Sequence, residues 1–252
     1  MHTKDYIIPS LTVVSIILLL SIGPIKQDQR YHVFADHRDA FAIPNFLNVI
    51  SNLPFVLVGV LGLLSVRKEK EKVVRLMFTS LFVGFLLLTF GSSYYHLWPN
   101  NQTLVYDRIP IVIVMMSFFA FIIYHYMDRK SGYFSYISLN ILGVMSVIYW
   151  ALGDNNGSGD LRWYGMVQFF PVIAIPIILL LYKTSFSLNK RIVYIFLFFG
   201  VAKLTEMFDK QIFYVLANTL GGHSLKHLFM AIAGYQIVLL MNDRMKTTPN
   251  VF

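Results

Sequence analysis

The hexapeptide Gly222-His223-Ser224-Leu225-Lys226-His227 sets two imidazoles four residues apart. In a helix that spacing leaves them about 40° apart around the axis, on one face and close enough to hold a single metal ion. A second histidine stretch lies far upstream, Ser92-Ser93-Tyr94-Tyr95-His96, with Asp107 eleven residues further on. Ser92 and His96 also share a helical face. His96, His223 and His227 supply three neutral imidazoles, a zinc set that leaves the fourth tetrahedral position open for a water whose pKa falls from about 15.7 toward about 7. Asp107 is the residue to take that proton and pass it to a leaving amine, and Ser92 the one to donate to a developing oxyanion. These parts make a hydrolase for an amide or an ester. A serine-nucleophile arrangement of Ser92, a histidine and Asp107 is the weaker alternative, because it leaves two of the three histidines idle.

The elements that must position these residues are membrane helices. The chain is 56% hydrophobic and 13% charged, with a mean hydropathy of +0.61, which places it outside ordinary soluble domains. Apolar runs cover about 7–25, 45–66, 74–95, 106–127, 133–151, 162–182, a stretch from Arg191 onward, and 223–241. The spacing predicts an all-α fold, a polytopic membrane helix bundle with a seven-helix core and one extra N-terminal transmembrane helix. Residues 1–30 hold that extra helix and the start of an outer loop, and residues 31–252 the seven-helix domain. The fourth run opens with Asp107-Arg108-Ile109-Pro110, which places the proline in its first turn, where the missing N–H costs little.

The net charge of +8 points to lipid rather than nucleic acid, because the basic residues fall in short loops between apolar runs. With both termini in the cytoplasm, thirteen of the 21 Lys and Arg lie on the inner side, the bias that membrane proteins show. Ser92, His96, Asp107, His223 and His227 then share one depth near the outer face. Short loops and the lack of a large outer domain point to a bacterial inner membrane. With no cysteine in the chain, any transition-metal site must use His with Asp or Glu. His2, His32, His37 and His125 read as non-ligands. Lys203, Glu206, Asp209 and Lys210 read as an ion-paired cluster at a helix end, the alternative being a proton relay or transporter. Asn45, Asn48 and Asn52 form an amide stripe, a common way of joining membrane helices.

The ordered set Asn48-Val49-Ile50-Ser51-Asn52-Leu53, Ser92-x-x-x-His96, Asp107-Arg108-Ile109-Pro110 and His223-x-x-x-His227 resembles the alkaline ceramidase family, part of a group of seven-helix membrane hydrolases that includes the progestin and adipoQ receptors. The resemblance implies zinc on His96, His223 and His227, Asp107 as acid and base, Ser92 as oxyanion helper, and cleavage of the amide of ceramide or a related N-acyl lipid. A non-catalytic lipid-sensing receptor is the other function that this fold supports. Eukaryotic ceramidases also bind calcium near the first core helix, and the corresponding candidates here are Asp36, Asp39, Asn45 and Asn48.

Overall fold

The computed structural model describes residues 3–182 and 186–247, and places ten α-helices among them: α1 (Ile7–Ser21), α2 (Phe46–Ile50), α3 (Pro54–Val66), α4 (Lys72–Leu97), α5 (Asn101–Ile122), α6 (Arg129–Asn155), α7 (Arg162–Leu181), α8 (Phe186–Met207), α9 (Asp209–Val215) and α10 (Gly222–Thr247). His2 and Lys183, one read as a non-ligand and the other as an inner-side charge, lie outside the described residues. Six segments are long and apolar enough to cross a membrane: Phe46–Val66, Lys72–Leu97, Asn101–Met127, Arg129–Asn155, Arg162–Leu181 and Gly222–Lys246. The protein is therefore an all-α, multi-pass membrane helix bundle. The seventh core helix, α8, has 22 residues but carries Lys190, Arg191, Lys203 and Glu206, and packs along α10.

α1 departs from the expected span. It has 15 residues, a length of about 22 Å at 1.5 Å per residue, against the roughly 30 Å of a hydrocarbon core. Its Val14, Ile17 and Leu18 side chains are exposed, as on a helix facing lipid, and it packs against α7. The chain leaving α1 is tied down by polar contacts: Leu161 N donates to Ile25 O (2.8 Å), and Arg162 Nη1 donates to Ile22 O (2.5 Å).

α5 also departs from expectation. It starts at Asn101, because Asn100 accepts from the Thr103 backbone N–H while the Thr103 hydroxyl accepts from the Asn100 N–H. Pro110 thus lies inside the helix rather than in its first turn, and the Tyr106 carbonyl loses its partner four residues on. Gly91 of α4 lies against that carbonyl. A Cβ at position 91 would stand 2.0 Å from Tyr106 O, so only glycine permits the approach. This contact brings Ser92 and His96 of α4 alongside Asp107 of α5.

The helices alternate in direction, which gathers two distinct polar ends. At one, buried Arg244 of α10 pairs with Glu69 (2.5 Å) and with Glu71, whose carboxylate also accepts from the Tyr124 hydroxyl. The other end holds the C-terminus of α4, the N-termini of α5 and α10, α2, α9 and the loop over 22–45. Apolar packing of Phe55, Phe78, Phe82, Phe85 and Phe121 fills the space between.

Candidate metal centre

Each histidine of the predicted trio reaches the centre from a helix end. His96 lies in the last turn of α4, and His223 and His227 in the first two turns of α10. All three are buried, at 1%, 5% and 3% exposure, and offer ligand nitrogens that lie within 4.8 Å of one another. His96 Nε2 and His227 Nε2 stand 3.3 Å apart. Two nitrogens bound to tetrahedral zinc at about 2.0–2.1 Å stand about 3.3–3.4 Å from each other, so the pair has the separation that zinc requires. Phe34 covers His96 and His223, with ring centroids at 4.8 and 4.6 Å. Among the described residues this is the one group of three or more His, Asp or Glu able to hold a metal.

Backbone and hydroxyl contacts hold the trio in place. The Ser51 hydroxyl donates to Asn48 O (3.1 Å) and so must accept from His227 Nδ1 (2.8 Å). That fixes the tautomer with the proton on Nδ1 and the Nε2 lone pair turned toward His96. Asp209 N-caps α10 from a distance: its Oδ1 accepts from His223 N and its Oδ2 from Ala35 N, both at 2.8 Å. Gly222 lets α10 start close against α8, since a Cβ there would lie 2.1 Å from Thr205 O. Asn45, in the left-handed region at φ 49°, donates through Nδ2 to His96 O (2.9 Å) and occupies one of the free carbonyls at the end of α4.

Asp107 and Ser92 are buried side by side in the same region. Both line a cavity of about 370 Å³ that runs from His227 between α5, α7, α8 and α10, with Phe118, Val172, Ile195 and Phe199 in its apolar walls. α7 packs on α1, α5 and α6, and α8 packs on α10, so these two consecutive helices flank the cavity from opposite sides.

The four charged residues near the end of α8 do not form the single cluster expected. Glu206 accepts from Lys203 Nζ and from Lys226 Nζ, each at 2.9 Å. Asp209 serves the backbone as described, and Lys210 is exposed. Lys226 also donates to His223 Nε2 (3.0 Å). A metal ligated by that nitrogen displaces the lysine. Of the other histidines, His32 bridges the Tyr95 hydroxyl (2.9 Å) and Asn101 Oδ1 (2.7 Å).

The calcium candidates do not fit such an ion. Both carboxylate oxygens of Asp36 are taken by Arg38, Nε to Oδ1 at 2.8 Å and Nη2 to Oδ2 at 2.7 Å. Burial pushes the Asp36 carboxyl up, but the bonds from Arg38 outweigh it and hold the group below the usual carboxylate range. Asn48 is engaged at both ends, donating to Asp36 O and accepting from the Ser224 hydroxyl, each at 2.8 Å. Asn45 is committed to α4, and Asp39 is exposed. An internal cation, Arg38, thus neutralises the acid that a hard metal would need.

The ceramidase family profile matches residues 36–248, which takes in every residue of the trio together with Ser92 and Asp107. The chain belongs to the ceramidase family. Searches of curated proteins and of solved structures found no match. The matched segment thus holds the histidine trio, and His227 of that trio lines the apolar cavity together with Asp107 and Ser92.

Proposed function

We propose that this member of the ceramidase family is a zinc-dependent intramembrane amidohydrolase that cleaves the N-acyl amide of ceramide or a related lipid to a fatty acid and an amine. The observation that carries this reading is the convergence of His96, His223 and His227, with His227 lining the same cavity as Asp107 and Ser92. Zinc held by the three imidazoles supplies a Lewis acid and lowers the pKa of water at the site.

The chain's own residues do the rest. Ser51 orients the His227 imidazole and the Asp209 cap holds the His223 backbone, so that the ligand set exists before substrate arrives. The Asp107 carboxylate accepts the proton of the attacking water and returns it to the amide nitrogen as that nitrogen leaves. The Ser92 hydroxyl, beside Asp107, donates to the carbonyl oxygen as negative charge builds there. The acyl chain lies along the apolar walls of the cavity, which excludes water from all but the reacting end. The lipid enters from the bilayer between α7 and α8. By the charge bias, both termini face the cytoplasm and the active site faces the outer side of what we take to be a bacterial inner membrane.

The test is fatty-acid release by purified protein from ceramide and from other N-acyl lipids, with zinc content measured on the same sample. Turnover that requires zinc and is lost in His227→Ala supports the proposal. Zinc and lipid binding without turnover would mark a receptor of the same fold.

A further inference from the structure

The head of the cavity carries charges that the amide chemistry leaves unused. Arg108, next to Asp107 on α5, is 5% exposed and lines the cavity wall. Its guanidinium lies over the rings of Trp150 (4.1 Å) and Tyr164 (4.5 Å), and Nη2 donates to Gln27 Oε1 (2.5 Å). Nη1 is shielded from solvent and has no hydrogen-bond acceptor. A buried charged donor without an acceptor is costly and is rarely left so.

Across the cavity head, Lys203 and Lys226 share the one carboxylate of Glu206. The Lys203 ammonium has three N–H groups and uses one of them there. Asp107, Arg108, Lys203, Glu206 and Lys226 all line the one cavity. Counting these groups, three cations face the two anions Asp107 and Glu206. The surplus is positive before any metal is added.

Geometry then says which part of a substrate meets the surplus. The acyl chain takes the apolar length of the cavity, and the amide lies against the histidine trio. The remaining substituent, the amine component, falls among Arg108, Lys203 and Lys226. We propose that this is a head-group site for an anion, and that the preferred substrate is an N-acyl lipid whose amine part carries a carboxylate or phosphate close to the amide, rather than a neutral ceramide. The free N–H groups of Lys203 donate to that anion, a charged donor to a charged acceptor, and the Arg108 guanidinium in the cavity wall adds its charge. This inference rests on the amide-hydrolase reading of the same site.

The experiment compares N-palmitoylglycine, N-palmitoylethanolamine and its O-phosphate as substrates of the zinc-loaded protein in neutral detergent. All three release the same fatty acid, so the comparison isolates the head group. The expected kcat/KM is about tenfold or more higher for at least one anionic lipid than for N-palmitoylethanolamine, a difference typical of one charge-assisted contact, and the better anion separates carboxylate from phosphate. Arg108→Gln and Lys203→Met each bring that ratio toward one, while Lys203→Arg keeps it. Equal rates, a preference for the neutral lipid, or variants that slow both classes alike would overturn the head-group site and leave the hydrolase intact. Binding of the ketone analogues, with methylene in place of the amide nitrogen, separates the two failures. If neither these lipids nor ceramide is hydrolysed, the hydrolase reading falls. The head-group site then stands if the carboxylate ketone binds about tenfold tighter than the alcohol ketone, and falls if the two bind alike.

Discussion

His227 shows how much of a metal ligand's fitness comes from its neighbours. Its Nδ1 is bonded to Ser51, and the Ser51 proton is already committed to Asn48 O, so the imidazole has one tautomer to present. Ser51→Ala removes that constraint without touching the trio. We expect zinc affinity to fall by about 10–100-fold, measured by competition with a chelator of known strength, because losing an outer partner of a metal-bound histidine costs about that much. Asp107→Asn has the opposite signature: zinc content unchanged and kcat lower by about 10²–10⁴-fold, since only the proton carrier is gone. The histidine trio was legible in the sequence because two histidines four residues apart share a helix face and the order of apolar runs puts His96 at a neighbouring helix end. Ser51 was quoted there only as part of a motif. Its role needed the approach of α2 to α10, which no local pattern encodes.

At the scale of elements, the site depends on helices that come closer than ordinary side chains allow. Gly91 meets the Tyr106 carbonyl that Pro110 leaves free, and this places Ser92 beside Asp107. Gly91→Ala has no flexible neighbour to yield to it, so α4 and α5 must separate. The expected result is a loss of about 1–3 kcal/mol in thermal unfolding and a fall in kcat/KM of about a hundredfold from misplacement of about 1 Å. The loop over 22–45 has its own device in Asp36 and Arg38, with Arg38 Nη2 also donating to Thr219 O (2.7 Å). Because the folded Asp36 carboxyl titrates below its ordinary value of 3.8, its stabilising effect is present above that pH and is lost as pH falls through the lower folded value. Thermal unfolding of wild type should therefore drop on acidification below about pH 4. Arg38→Gln should be less stable at neutral pH and lack that part of the drop. The sequence placed Asp36 near the site but could not show that Arg38 neutralises it, which is why a calcium site looked open. It also misplaced Pro110, although Asn100 and Thr103 at the start of α5 carried the signal for an earlier helix start.

For the whole molecule, the long apolar runs were read correctly as a polytopic helix bundle, since they leave few other options. The reading of α1 as a span and of the α8 charges as one local cluster was less faithful. Both turn on partners far away in the chain: α7 for the first, and Lys226 for the second. The bundle places the histidine trio near one end and a separate ion network around Arg244 at the other, with an apolar cavity reaching inward from the first. That arrangement makes the trio the point on which function turns, and it can be tested at once by measuring fatty-acid release and bound zinc in the same samples of wild type, His96→Ala, His223→Ala and His227→Ala. The account predicts about one zinc per wild-type chain, a loss of metal and activity together in each variant, and recovery of wild-type turnover when zinc is stripped and restored. Full N-acyl lipid hydrolysis by zinc-free protein, or by a folded variant lacking one of the three imidazoles, would contradict it.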